Sequence, residues 1–243
     1  MPAGLGAGFL HGVGRRLGRS GAVREPGATN HVSLGAHCQM AHVLKTLGLR
    51  TWSGPFDWIF TMPGMVRDCL ADDFSALVDR GQLETIPDGE RRGAGIWRGR
   101  HRLYRARHGL DCVFNHHDPA ADDADYRFLT EGVRRLRTAL AMPGADNRFW
   151  LMTHLHTAPE VAAEICDLLA QHGSRNHLTF LQIVPDRPAN RMAEADPVRP
   201  DLRWLTVETS SASIGLRLAN PTDDAFLINL IAAESRRDPF LSP

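Results

Sequence analysis

From residue 30 onward, short apolar runs alternate with amphipathic stretches of ten or more residues, the pattern of strands joined by helices. His31–Leu34 reads as a first strand. Ala36–Leu47 follows as a helix with Met40, Val43, Leu44 and Leu47 on one face and Gly48 as its stop. Residues 49–61 are rich in turn formers and aromatics. Pro63 and Gly64 open a second helix, with Val66, Cys69, Leu70, Phe74 and Leu77 as apolar positions, reaching about Asp79. Residues 81–100 read as a loop. Leu103–Arg107 and Leu110–Phe114 read as the arms of a hairpin turning at His108-Gly109. Asp122–Ala141 is a strong amphipathic helix through Tyr126, Leu129, Val133, Leu136 and Leu140. Then come a strand (Phe149–Thr153), a helix (Glu160–His172, stopped by Gly173), a strand (Leu178–Val184), a proline-bearing loop (185–201), a strand (Trp204–Val207) and a closing helix (Asp223–Arg236). No internal repeat is visible.

Strands separated by helices pair in parallel through right-handed crossovers. The expected architecture is therefore an α/β three-layer sandwich with a mostly parallel sheet and a hairpin-like insertion. Residues 30–243 form one such domain in this reading. Residues 1–29, rich in Gly, Ala and Arg, are expected to be a flexible leader. Arg15, Arg16 and Arg19 follow its apolar patch, whereas a signal peptide places charge before a longer one. Ligands in parallel sheets bind at the carboxyl ends of strands. Ser33–Cys38 lies at such an end.

Composition narrows the function. A formal net charge of zero gives a nucleic-acid partner no support. No apolar run approaches the ~20 residues of a membrane-spanning helix. The four cysteines, Cys38, Cys69, Cys112 and Cys166, contain no CxxC pair, which excludes a zinc knuckle or thioredoxin-type motif by spacing and fits a reducing cytoplasm. A metal held by His37, Cys38 and His42 is disfavoured because no carboxylate joins them, and no cofactor is expected.

Cys38 falls in the first turn of the first helix, where free backbone N–H groups and the helix dipole favour a thiolate. It shares a face with Ala41, His42 and Lys45, away from the apolar stripe, so an accessible sulfur is expected. Gly35 and Ala36 would let a substrate approach the backbone closely, and N–H groups from Ala36 to Gln39 would form an oxyanion hole. The alternative is a small buried residue at a strand–helix junction. A second cluster is Asn115-His116-His117-Asp118. In extended chain His116 and Asp118 share one face and His117 the other, so Asp118 is poorly placed to orient His117, and Asp57 is the candidate third member. Asp57 either orients a histidine or fixes a backbone turn. The third cluster, Thr153-His154-Leu155-His156, leaves a strand at the same sheet edge, with both histidines expected in one cleft.

Ser33-Leu34-Gly35 with Cys38, Ala41 and Leu44, Leu49-Arg50, Gly54-Pro55-Phe56-Asp57-Trp58 and His117-Asp118 together resemble a bacterial family labelled papain-like cysteine peptidases. The resemblance implies a thiol hydrolase acting on an amide or ester. Cys38 would be the nucleophile and His117 the base, with Asp57 or Asp118 orienting the imidazole and Gln39 donating to an oxyanion. The substrate class stays open between small molecule, peptide and glycan-linked compound, as does the oligomeric state. Two other readings use the same residues. The first block is also similar to that of SGNH-type esterases, with Ser33 as nucleophile and His154 or His156 as base. The Gly35–Cys38 turn would alternatively cradle an anion in a non-catalytic binding domain.

Overall fold

The structure, a computed structural model, describes residues 29–35, 37–195 and 199–238. Apart from Thr29, the expected leader lies outside the described residues. The strands are β1 (Thr29–Ser33), β2 (Leu83–Thr85), β3 (Gly99–His101), β4 (Asp146–Thr153), β5 (Arg175–Val184), β6 (Arg191–Glu194) and β7 (Leu202–Glu208). The helices are α1 (Cys38–Thr46), α2 (Pro63–Ala71), α3 (Arg102–His108), α4 (Asp123–Ala141), α5 (Pro159–Ala170) and α6 (Pro221–Arg236). Among these helices none is long and apolar enough to cross a membrane.

The main sheet has the order β1-β4-β5-β7-β6. The first four strands run parallel, and β6 pairs antiparallel with β7 at one edge. Successive residues of each strand face opposite sides, and that alternation splits the interior into two cores. Phe149 and Leu151 of β4, with Leu178 and Phe180 of β5, pack among residues of α2, α4 and α5. Their neighbours Trp150, Met152, Leu181 and Ile183 join Leu205 and Val207 of β7 in a second core with α1 and α6. Strands apolar on both faces require cover on both faces, which is why the layers are helix, sheet, helix.

An antiparallel insertion is present, but not where the sequence pattern put it. The pair is β2 with β3, inside the stretch read as a loop. Residues 102–108 are helical instead. Their Arg, Leu and Ala favour a helix, His101 caps its start by accepting from the Tyr104 N–H, and Gly109 ends it at φ 69°. Phe114 meets the insertion at one antiparallel bridge to Gly99, where its O also accepts the Arg98 N–H (3.1 Å). The second helix stops at Ala71 because Asp73 and Phe74 turn left-handed (φ 50° and 61°), yet Phe74 and Leu77 are buried as the periodicity demanded. The proline-bearing segment 185–201 contains the edge strand β6.

Candidate functional site

The turn after β1 is held from three sides. Leu34 N–H donates to Trp150 O (2.8 Å), and Gly35 O accepts from Met152 N–H (3.0 Å), so the chain leaving β1 stays clamped to β4. Thr61 Oγ1 donates to Leu34 O (3.2 Å). Gly35 has φ +99°, a conformation that side chains rarely adopt, and a Cβ there would lie 1.8 Å from Thr61 Oγ1. Thr61 fills the space expected for a substrate. Glycine is required by the fold at this point. Ser33, fully buried, accepts the Gly35 N–H on its hydroxyl (3.2 Å) and so serves the same turn.

Cys38 opens α1 behind His37, which is extended and gives no side-chain cap. The expected accessible sulfur is not found: Cys38 is 4% exposed. Burial pushes its thiol up to about 11, the nearby Asp57 charge adds to this, and the backbone N–H at the sulfur only partly offsets them. No histidine among the described residues hydrogen-bonds the Cys38 sulfur. The helix is buried on more than one side, with Gln39, Met40, Ala41, Val43 and Leu44 all enclosed; of the face that sequence periodicity left open, Cys38 and Ala41 are buried, His42 is half-buried and Lys45 is exposed.

Asp57, also buried, binds the Arg50 guanidinium and accepts the Gly54 N–H (3.1 Å). Arg50 donates to Ser53 Oγ as well (2.8 Å), and Arg135 of α4 reaches Ser53 O (3.3 Å). Burial raises the Asp57 carboxyl to about 6, opposed by Arg50, the Gly54 N–H and Arg135. Of the two roles expected for Asp57, these contacts are those of a turn-fixing carboxylate. The 53–58 segment is pinned against α4, where a Cβ on Gly132 would meet the Gly54 and Pro55 backbone at 3.1 Å.

His117 finds its carboxylate elsewhere. Its Nδ1 pairs with Asp125 Oδ1 at 2.8 Å, and its ring stacks on Phe128, centroids 5.2 Å apart. Asp125 Oδ2 also accepts the Asp118 N–H (2.7 Å). Asp118 itself is buried and binds Thr85 Oγ1 (3.0 Å) and the Ala121 N–H (3.3 Å), which ties β2 to the turn before α4. It does not orient His117. Sequence reasoning missed Asp125. The available signal was its place in the acidic first turn of the helix directly after the histidine pair. His116 is exposed and sits beside the Asn115 amide (2.9 Å).

The remaining candidates separate. Gln39 is fully buried and accepts the Ser213 hydroxyl on Oε1 (2.6 Å), leaving Nε2 without a partner. His154 and His156 do not share a cleft. His154 lines a cavity of about 410 Å³ with His37, Thr61, Thr153, Arg92 and Trp97, whereas His156 lines a different one with α5 and β7. The chain bends after Thr153, so the strand alternation that would have paired them no longer applies. His37 and His154 stand at the carboxyl ends of the paired strands β1 and β4, their ring centroids 6.1 Å apart. Nδ1 of His37 and both nitrogens of His154 are buried without a partner. Burial lowers both imidazoles, His154 to about 4 with a further contribution from His37. At the mouth, the Arg92 guanidinium lies 3.6 Å above the Trp97 ring. Among the described residues no group of three or more His, Cys, Asp or Glu is placed to hold a metal ion.

This is the site of a three-layer α/β protein with its polar cleft at the carboxyl edge of a parallel sheet. Residues 29–118, somewhat over a third of the chain, match the model of a family described as "putative papain-like cysteine peptidase". The match spans Cys38, Asp57, His117 and Asp118 and ends before Asp125 and His154. No curated protein and no solved structure matches the chain.

Proposed function

We propose that this chain is a small-molecule-binding α/β protein whose working cleft lies between the carboxyl ends of β1 and β4, and that its ligand carries a carboxylate or phosphate. The observation that carries this reading is the His37–His154 pair, with three buried ring nitrogens that have no partner. Buried polar atoms are nearly always satisfied, and those that are not point to a missing group. Arg92, flat on Trp97, adds a cation to the same wall. An anion between the two imidazoles would raise their depressed pKa values, so binding should take up protons and tighten as pH falls from 7 towards 5. The test is a titration of the full chain with acetate, citrate and inorganic phosphate, read at the histidine ring carbons by NMR. Saturable movement of the His37 and His154 signals, lost in His154→Asn, is the expected result. Silence of both signals with all three anions overturns the reading.

The second reading is a thiol hydrolase with Cys38 as nucleophile and His117 as base, on an amide or ester. The family's description supports it, and so does the His117–Asp125 pair, which fixes the imidazole through Nδ1 and leaves Nε2 for proton transfer. It requires a reactive Cys38, and iodoacetamide measures that. Rapid alkylation of Cys38 at pH 7.5, slowed by His117→Ala, favours the hydrolase. Alkylation as slow as that of an ordinary buried thiol removes it and leaves the binding reading standing.

A further inference from the structure

The parallel connections of the sheet are unequal. The path from β1 to β4 lays α2 and α4 on one face, and the path from β4 to β5 lays α5 on the same face. The path from β5 to β7 brings no described helix, only the edge strand β6. The face of β7 beyond α5 therefore lacks the cover that a third crossover helix would supply. In that place is a cavity of about 520 Å³, bounded by Ala163 of α5, Gln182 and Val184 of β5, and Leu202, Trp204 and Thr206 of β7. Leu202, Trp204 and Thr206 alternate with Leu205 and Val207, which serve the core on the other side.

We propose that this cavity binds a planar, heteroaromatic small molecule that carries no negative charge and bears an N–H or O–H donor. Trp204 supplies a fixed flat wall, since its ring is stacked on Phe180 at 4.1 Å with 12° between planes. Stacking against such a ring selects a planar ligand. Gln182, 9% exposed, donates its amide to Thr153 O (3.4 Å), while its Oε1 is buried without a partner. That oxygen calls for a donor. The two arginines of the lining are already engaged, Arg199 with Asp167 and Asp201, Arg203 with Glu194 and Glu234, so they offer no unpaired cation to an anionic ligand. The volume suits a molecule of one or two fused rings with substituents. This site stands apart from the His37–His154 cleft. The β4–α5 turn lies between the two, with Thr153 to Leu155 on one and His156 and Thr157 on the other.

The test uses the full chain and two probes, indole and 1-methylindole, which differ by one N–H donor. Amide spectra should show indole shifting Gln182, Trp204 and Thr206 saturably, with 1-methylindole at least fivefold weaker. Ala163→Trp fills the cavity and should abolish the shifts. Ala195→Trp places the same bulk at the exposed lip, where it cannot unfold the core, and should weaken binding at least tenfold. Gln182→Met should bind both probes equally. Absence of saturable shifts, shifts confined to other residues, or unchanged binding in both tryptophan variants overturns the proposal. Equal affinity of the two probes for the wild-type chain overturns the role of Gln182. Self-association through this face without probe binding assigns the cavity to a second copy of the chain and likewise overturns the proposal.

Discussion

Replacing Gly35 by alanine tests whether the turn after β1 is a ligand-approach site or an architectural joint. The new Cβ would sit 1.8 Å from Thr61 Oγ1 and 3.1 Å from Thr61 Cβ, at a φ of +99°. Holding a non-glycine residue in a left-handed conformation costs about 1–2 kcal/mol. Relief of the overlap needs Thr61 to turn away, which forfeits its hydrogen bond to Leu34 O, about 1 kcal/mol. Displaced packing around a fully enclosed site adds roughly 1–3 kcal/mol. The expected loss is therefore about 3–6 kcal/mol, a large share of the 5–15 kcal/mol typical of a whole domain. Urea unfolding followed by circular dichroism measures it, and an unchanged slope against urea would show that the denatured state is not the cause. In a Thr61→Ala background the overlapping oxygen is gone and only the Cβ of residue 61, 3.1 Å away, has to give slightly, so Gly35→Ala should then cost little beyond the backbone strain of about 1–2 kcal/mol. A Gly35→Ala chain within 1 kcal/mol of wild type, or one equally damaged with and without Thr61, refutes the reasoning and returns Gly35 to the list of ligand contacts.

Other consequences are as concrete. Asp57→Ala strands the Arg50 guanidinium without its buried partner and should cost about 3–5 kcal/mol in the same urea assay, whereas a loss below 1 kcal/mol would mean that Arg50 finds water or another acceptor. An unfolded imidazole takes up its proton near 6.5, but the buried His154 only near 4. Between those values the unfolded state holds more protons, so stability is full above pH 6.5 and falls as pH drops towards 4. The loss is about 3 kcal/mol at full strength and about 1–2 kcal/mol for a partly exposed ring. His154→Asn should remove that share of the acid sensitivity while His177, also lowered to about 4 by burial, keeps its own. Equal pH slopes in the two chains would contradict the assignment. Asp125→Ala leaves both His117 Nδ1 and the Asp118 N–H without their acceptor and should cost about 1–3 kcal/mol, read by thermal unfolding.

Much of the fold was legible because apolar periodicity reports burial directly. The central stretches of β4 and β5 are nearly continuous apolar runs covered on both faces, while β7 buries Leu205 and Val207 on one face only. The stripes of the helices at 38–46, 123–141 and 159–170 fall on the two cores. Local chemistry was harder to read. Arg102–His108 has a residue pattern that suits either an extended arm or about two helical turns, and the cap at His101 with the stop at Gly109 decided it. The short strands 83–85 and 99–101 carry almost no apolar signal, since pairing of backbone with backbone defines them. Accessibility of Cys38 was misread for a related reason. Helical periodicity says which face meets the sheet, but it does not say that the N-terminal end of the other face, at Cys38 and Ala41, is buried while Lys45 further along stays exposed.

The residues that drew attention in the sequence then resolve into two kinds. Ser33, Gly35, Arg50, Gly54 and Asp57 each have an architectural task within one joint: hydroxyl to amide, glycine against Thr61, guanidinium to carboxylate, carboxylate to amide, glycine against α4. Apart from Gly54, whose own Cβ would meet only ordinary contacts because the tight approach to α4 belongs to Gly132, these residue types serve the joint whatever chemistry lies beside it, so the motif locates a site without naming its reacting atoms. The atoms left over are the informative ones. Ser33 and Asp118 find protein partners, and Asp57 and Arg50, each with one buried atom left over, are paired with each other through the rest. His154 has neither ring nitrogen paired and His37 leaves Nδ1 unpaired, although both stand at strand ends where burial makes the deficit costly. A fold retains such a deficit most readily where another molecule completes it. On the proposed reading the working centre lies one residue before Cys38 and across to the next strand, at a pair that adjacency in sequence could not reveal because 117 positions separate its members.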